Sequence, residues 1–472
     1  MRSLFPLLLC CLLVQVEVFG QASVNVRNFG AKGDGKTDDA PAINQALKAA
    51  HSKQKNIYFP AGTYLCNTLD KDGHILLFDA GGLKGIRIHG DSNATRITTS
   101  LSEGSVLFYI WAYAKNQGLV IKNIFFENTH PLIKSPTTGL FLQGTKGEEF
   151  VNAKVTNCRF EGFSNAIGGQ GVNGWTIDQN FFGSPKGHDN AKNDQDPAVY
   201  LWFFDNSNGY CSDIRITRNT ADGYTGAGPI NALVTKRGMD GFVYGTGYGF
   251  TITGNTTRNF SEEHFLLSPR ATFPNDSSQT LIANNHIDAS IPAGSMDNNG
   301  SKKHLVNYGI RCDISNAVIR NNEIRNYTYG IMVRGVEYPK ANIRGYQITA
   351  NRLVAADDTS NYDVQSAIII QGNIDNRIKD VQVSSNTINI SRLKNYIANG
   401  IVLYDMDKGL IQNNTLHCNA RQQKVQNIAI SYRRVSQIQE ITNEVVGMKF
   451  RKIQSPEDSV QIITDEPAMK NN

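Results

Sequence analysis

One spacing dominates this chain, an aliphatic residue followed three places later by asparagine: Ile177/Asn180, Ile216/Asn219, Ile252/Asn255, Ile282/Asn285, Ile319/Asn322, Ile348/Asn351, Val383/Asn386 and Ile411/Asn414. Recurrence at this level restricts the chain to folds that stack one supersecondary unit on the next. Two earlier copies carry another residue at the asparagine position, Val155/Cys158 and Ile121/Ile124, and a degenerate last copy reads Ile441/Glu444. Successive asparagines lie 28 to 39 residues apart, so most units carry loops of variable length.

Each unit also has an upstream apolar patch that alternates with period two, as in Leu140/Leu142, Val199/Leu201, Phe265/Leu267, Ile310/Cys312, Ile331/Val333, Ile368/Ile370 and Ile401/Leu403. That period marks a strand with one buried face. A unit therefore supplies a short strand, a connection, a second strand ending in Ile-x-x-Asn, a sharp bend and a third strand. Asparagine suits the bend because it tolerates left-handed backbone, and stacked asparagines can hydrogen-bond from coil to coil. The expectation is an all-β fold, a single-stranded right-handed parallel β-helix (solenoid) of about eleven coils rising ~4.8 Å each. Leucine-rich and hexapeptide solenoids are the alternatives; irregular unit length and the missing Leu-x-x-Leu-x-Leu signature speak against them.

The N-terminus reads Val24-Asn25-Val26-Arg27-Asn28-Phe29-Gly30-Ala31-Lys32-Gly33-Asp34-Gly35-Lys36-Thr37-Asp38-Asp39, then Ala42-Ile43-Asn44-Gln45-Ala46-Leu47 and Ile57-Tyr58-Phe59-Pro60-Ala61-Gly62-Thr63-Tyr64. This resembles the entry segment of the pectate-lyase-like superfamily, which contains polygalacturonases, rhamnogalacturonases, alginate epimerases and phage tailspikes. The resemblance implies the β-helix and leaves the reaction open. Physically, Asp38 or Asp39 can cap a helix over Ala40 to Ala50 that closes the open end of the solenoid. Asp34, Asp38 and Asp39 as a Ca²⁺ site is the alternative, but no bidentate glutamate follows at calcium-loop spacing. No cofactor is required, and Ca²⁺ stays possible.

At 472 residues the chain has the length of about three ordinary domains, but the repeats absorb it into one. Residues 1–20 read as a signal peptide, with Arg2, an apolar run from Leu4 to Val14 and Val18-Phe19-Gly20 ahead of the cut. That run is shorter than the ~20 residues a membrane span needs. The β-helix with its cap then covers 21–456, a C-terminal tail covers 457–472, and a secreted or periplasmic location follows. Cys66, Cys158, Cys211, Cys312 and Cys418 are odd in number and widely spaced, which predicts buried thiols. A net charge of +5, spread without a dense basic block, points to neither nucleic acid nor membrane and suits a groove that meets an acidic substrate. Oligomeric state is left open.

Alternation predicts which side chains line the outer face of the upstream strands. Tyr200 and Trp202 are expected to stack on pyranose faces, Arg311 and Arg334 to pair with carboxylates, and Gln170, Gln371, His264 and Asp313 to share that face. Long insertions cluster nearby. Gly249-Phe250-Thr251-Ile252 aligns with Gly174-Trp175-Thr176-Ile177, which places a strand at Phe242 to Tyr244 and hangs Lys236 and Arg237 over the groove; the rival strand is Asn231 to Thr235. Arg270 lies on another flanking insertion.

A glycoside hydrolase needs two converging carboxyls. Asp313 is the one acid that alternation puts on the groove strands, with Glu262, Glu263, Asp240 and Glu337 nearby, and the Asn-Thr-Asp, Gly-His-Gly and Arg-Ile-Lys signatures of polygalacturonases are missing. A lyase needs a base and cations that neutralise a uronate carboxylate. His264 or Tyr200 can serve as base, with Arg311 and Arg334 as clamps. The expectation is thus an enzyme cleaving an acidic polysaccharide by β-elimination, with hydrolysis as the alternative and a non-catalytic glycan-binding or structural β-helix as the second.

Overall fold

A computed structural model describes residues 22–463, apart from 135, 146, 185–198, 205–210, 225–238, 261, 270–277, 291–306, 336–342, 356–363, 391–396, 419–425, 448–449 and 454–459. The chain winds as a right-handed parallel β-helix with three long faces, each a run of parallel strands called a sheet; the first two join into one 26-stranded array through the long strands Ile397–Gln412 and Gln426–Ile441. The first sheet holds the alternating patches, from His74–Asp79 through Val199–Phe203, Gly241–Thr246, Glu263–Ser268 and Tyr308–Cys312 to Val364–Gln371 and beyond. The second holds the aliphatic residues of the Ile-x-x-Asn units, and the third follows the asparagines. Gly241–Thr246 pairs with Val199–Phe203, as the Phe242–Tyr244 assignment requires; the rival segment lies outside the described residues.

The third sheet has 14 described strands. Those from Phe125–Asn128 to Glu444–Val446 correspond to the expected coils. Three more precede them, Asp34–Asp38, Gly62–Leu65 and Thr95–Thr99, where the chain already coils without the asparagine that made the later turns visible. At the other end Val460–Ile463 pairs with Ile438–Ile441, so part of the segment expected as a tail completes the second sheet.

The interior is a set of aligned rows. Ile177, Ile216, Ile252, Ile282, Ile319 and Ile348 are successive register partners and fully buried. Phe126, Phe160 and Phe182 stack at 4.9 and 5.5 Å. Cys66, Cys158, Cys211, Cys312 and Cys418 are buried and free, and burial pushes the Cys158 and Cys312 thiols up to about 12.

The asparagines form one continuous ladder. Asn322 is typical: its Oδ1 accepts from the backbone and side-chain amides of Asn285 at 3.1 and 2.9 Å, and its Nδ2 donates to Ile282 O at 2.9 Å and Asn351 Oδ1 at 3.0 Å. The ladder runs from Asn180 to Asn414 and then takes Asn443 as its last member, where the sequence pattern pointed to Glu444. In register, Glu440 occupies the aliphatic position of that coil, which hid the repeat, and it accepts from the Tyr432 hydroxyl at 2.8 Å. Cys158 ends the other side, its amide donating to Asn180 Oδ1.

One detail of the bend differs from expectation. The left-handed residue is the one before each ladder asparagine, as at Gln179, Arg218, Asn284, Asn321, Ala350, Ser385 and Asn413. The asparagine itself is selected for its carboxamide, which bonds both neighbouring coils.

The helix is Ala40–Lys53, with Ala40, Ile43, Ala46, Leu47 and Ala50 buried. Asn44 donates to Ile75 O and accepts from the Leu77 amide, so the helix satisfies the first strand of the first sheet at its exposed edge. Asp39 sits at the N-cap, yet its carboxylate accepts from the Lys32 and Gly33 amides; Asp38 bonds the Ala40 amide instead. Asp34 is occupied by the Lys36 and Thr37 amides, which lower its pKa to about 2.

Candidate functional site

The outer face of the first sheet carries most of the expected side chains. Trp202, Arg311, Asp313, Arg334, Gln170 and Gln371 lie on outward positions, and Arg334 stands in register with Gln371. Lys236, Arg237 and Arg270 lie outside the described residues.

Tyr200 and His264 do not reach that face. Both are fully buried inside the coil. The Tyr200 hydroxyl donates to Asp222 O at 2.6 Å and its ring packs on Phe182, while His264 Nδ1 bonds Thr257 Oγ1 at 2.7 Å and its ring meets Phe260 edge-on. Burial lowers the His264 pKa to about 3, leaving a neutral core imidazole.

The cause is a slip of alternation at the corner where the third sheet passes into the first. There two consecutive residues point inward. On several coils the first of them is glycine: a Cβ on Gly309 would lie 2.5 Å from Ile324, on Gly330 2.5 Å from Leu353, and on Gly400 2.3 Å from Leu416, all interior contacts. On the coils of Tyr200 and His264 that corner holds a large side chain, and the facing third-sheet row turns small at Ala221 and Thr257, between Phe182 and Ile287. The slip was readable in Tyr308-Gly309-Ile310, Tyr329-Gly330-Ile331 and Asn399-Gly400-Ile401, which align with Glu263-His264-Phe265.

That alignment turns Glu263 outward, and a cluster forms around it. Glu263 accepts from the Tyr244 hydroxyl at 2.7 Å, and the same hydroxyl lies 3.4 Å from Glu262. Arg311 Nη1 is 3.5 Å from Glu263 Oε1, and its Nε donates to Asp313 Oδ2 at 3.0 Å. Asp313, wholly buried, also accepts from the backbone amide of Arg334 at 2.7 Å. It thus bridges the Arg311 guanidinium and the main chain of the next coil.

Burial, reinforced by Glu262, raises the Glu263 pKa. Burial and the Glu263 charge push the Tyr244 phenol well up, and the Tyr308 phenol rises to about 12 for the same reasons. Glu262 is half-buried. The face therefore presents a proton-retaining carboxyl, a second acid beside it, a shared hydroxyl and a guanidinium fixed from behind by Asp313. Among the described residues no group of three His, Cys, Asp or Glu side chains is placed to hold a metal ion.

Short segments of the chain match two proteins of Azotobacter vinelandii: alginate lyase 7, 46% identical over 56 residues, and mannuronan C5-epimerase AlgE1, 39% identical over 71 residues. These matches span 11% and 14% of this chain and only 6% and 5% of those relatives. Two solved structures share the fold at low identity. The A-module of mannuronan C-5 epimerase AlgE6 from Azotobacter vinelandii superposes with a TM-score of 0.50 at 14% identity, covering 94% of this chain and 100% of that one. PfbA, a surface adhesin of Streptococcus pneumoniae, gives 0.55 at 13% identity, covering 88% and 92%. The family model described as rhamnogalacturonase A/epimerase, pectate lyase-like, matches residues 23–288, more than half of the sequence, and the chain belongs to that family.

Proposed function

We propose that the protein is an exported enzyme that cleaves a polysaccharide on the outer face of the first sheet by hydrolysis, with Glu263 as proton donor and Glu262 as the partner carboxylate. The observation that carries this is the pair of acids on one hydroxyl: Tyr244 reaches both, which keeps the carboxyls well inside the roughly 10 Å that a glycosidase spans. Burial and a like charge hold the proton on Glu263, the condition a general acid needs, and Glu262 stands beside it in a more exposed position. Glu263 protonates the departing glycosidic oxygen, and Glu262 attacks the anomeric carbon or activates water. Asp313 positions Arg311 beside Glu263.

Elimination, the chemistry first expected, loses two bases to the interior, Tyr200 and His264. Among the described residues of the cluster it is left with Tyr244 and Tyr308, whose phenols are both held away from the phenolate form. An acidic glycan remains the proposed substrate, supported by the net charge of +5 and by Arg334 on this face; Arg311 is committed to two carboxyls. With both roles filled by acids, activity needs no Ca²⁺ and survives a chelator. Export rests on residues 1–20, and sequencing the secreted protein should find its N-terminus after Gly20.

The test is a panel of acidic and neutral polysaccharides, followed for new reducing ends and for the ultraviolet absorbance of unsaturated uronate. Reducing ends without absorbance support hydrolysis. Absorbance with reducing ends restores elimination, and binding without either product makes the protein a glycan-binding β-helix.

A further inference from the structure

The outer face of the second sheet carries positive charge that the face itself does not balance. From strand to strand one outward row reads Arg87, Val120, Lys154, Thr176 and Arg215, and the row beside it reads His89, Lys122 and Thr156. Arg87, Lys154 and Arg215 are exposed, and Lys122 is half-buried. Cations therefore stand on every second coil of the first row, ~9.6 Å apart, with Lys122 on the coil between Arg87 and Lys154. Among the described residues none of these four has a carboxylate partner, the exposed Asp213 in the bend before Arg215 included. Two acids on this side are already occupied. Asp178 accepts from Thr217 Oγ1 at 2.7 Å and from Arg218 Nε and Nη2 at 2.9 and 2.6 Å, and Asp91 accepts from the Tyr58 hydroxyl at 2.8 Å and the Ala61 amide at 3.0 Å. Burial, and after it the charge of Lys122, holds the His89 imidazole below its ordinary pKa.

The third sheet shows what the same geometry does with charge when nothing else is asked of it. Its outward arginines are paired: Arg96 with Glu127, Arg159 with Glu161, Arg258 with Asp222, and Arg325 and Arg352 with Glu323. On the second sheet the row past Arg215 turns uncharged, through Thr251, Leu281, Val318, Gln347 and Gln382. Unbalanced charge is thus confined to one stretch of one face. Like charges on neighbouring strands repel, and a bound polyanion removes that cost.

We propose that the stretch from Arg87 to Arg215 is a second binding face, a docking strip for a linear acidic polysaccharide, separate from the site of cleavage. The proposal goes beyond the reading of the Glu263 cluster and does not rest on it. The four cations lie in two adjacent rows over four strand spacings, ~19 Å along the rod, which is a single file rather than a broad patch. A strand spacing of ~4.8 Å is of the order of one sugar unit, so a polyuronate laid along the file brings about one carboxylate to each coil. Thr156 and Thr176, half-buried between the cations, offer hydroxyls to the sugar hydroxyls. A membrane surface needs apolar side chains to bury, and a single-stranded nucleic acid needs rings to stack on. The strip offers them Val120 and Tyr58, and the Tyr58 ring is stacked on His89 at 5.1 Å.

Affinity electrophoresis of the mature protein in gels containing polygalacturonate, alginate or a neutral β-glucan tests the strip, with circular dichroism as the folding control. At least one polyuronate should retard the protein more strongly than the glucan does. Lys154→Glu combined with Arg215→Glu should weaken that retardation at least fivefold. Lys32→Glu combined with Lys36→Glu, the same change of charge at exposed residues of the entry segment, should weaken it less than twofold. Raising the salt from about 50 to about 200 mM should weaken wild-type binding at least fivefold, and binding by the Lys154/Arg215 variant less. No retardation by either polyuronate, equal retardation by the glucan, or equal losses in the two double variants overturns the proposal. Tighter binding to phosphatidylglycerol vesicles or to duplex DNA than to either polyuronate overturns the assigned ligand. Glu263→Gln separates the two readings: the fivefold loss from the Lys154/Arg215 pair should persist in that background, and a Glu263→Gln protein that still cleaves sinks the assigned chemistry while the strip stands.

Discussion

Replacing Asn322 by leucine tests the ladder where it is fully formed. The carboxamide makes four hydrogen bonds, two accepted from Asn285 and two donated, to Ile282 O and Asn351 Oδ1, all in a site closed to water. Leucine is close in volume, so the loss is one of polar satisfaction rather than of packing. Two buried backbone groups, the Asn285 amide and the Ile282 carbonyl, are left without those partners, at ~1–3 kcal/mol each. The Asn351 carboxamide keeps the bond from the residue 322 amide, at 3.0 Å in the parent. A total of ~2–6 kcal/mol is expected, a large fraction of the margin of an ordinary domain. Urea unfolding followed by far-ultraviolet circular dichroism measures it, with Asn443→Leu at the end of the ladder as comparison. Asn443, also buried, is the last member of the ladder and is 7% exposed against 1% for Asn322, so the loss there should be smaller. A loss below ~0.5 kcal/mol at Asn322, or an equal loss at both positions, refutes the view that the ladder holds the bend.

Three further outcomes follow from the site and its surroundings. His264 is neutral in the core, with its pKa lowered to about 3 against an ordinary value of 6.5; the unfolded chain binds the proton first, so this stabilisation is present above about pH 6.5 and is lost as pH falls toward 3, at ~1.4 kcal/mol per unit. His264→Leu should therefore move the acid-unfolding midpoint to lower pH and keep activity, and lost activity in a folded variant would return His264 to the site. Arg311→Ala leaves the buried Glu263 and Asp313 without their shared cation, so it should cost ~3–5 kcal/mol in stability as well as activity, where a freely exposed arginine would cost little; an unchanged melting temperature contradicts the buried pairing. Glu263, with its pKa raised, contributes stability fully below about pH 4.5 that is lost as pH rises through the raised value, and as a proton donor it makes the rate fall over the same upper window; Glu263→Gln should abolish that stability limb in acid–base titration, and a persisting limb assigns it to another group.

The fold was legible because a buried carboxamide ladder leaves an asparagine wherever it turns. It failed where half of the motif was replaced: the first three coils lack the asparagine, and at the last coil Glu440 stands at the aliphatic position ahead of Asn443. The outer face was legible wherever alternation held, which placed Trp202, Arg311, Asp313, Arg334, Gln170 and Gln371. Strict alternation misread the corner, where two successive residues point inward and a period of two reverses the face; the aligned glycines of the later coils carried the signal. That slip sent Tyr200 and His264 into the core and brought Glu263 out. Small side chains at Ala221 and Thr257 make room for the large corner residues, and this complementarity links residues on different coils that one strand's pattern does not connect. Tyr244 bonds Glu263 from a neighbouring coil, so its part in the site emerges only from the register.

The most direct test of the account is to compare wild type, Glu263→Gln and Glu262→Gln on the polysaccharide that the panel shows to be cleaved, with circular dichroism as the folding control. Hydrolysis at this cluster predicts reducing ends without unsaturated uronate for the wild type, and at least a hundredfold loss of rate for each folded variant, ~2.7 kcal/mol in transition-state stabilisation. Unsaturated products, or a folded Glu263→Gln that cleaves at the wild-type rate, would contradict it.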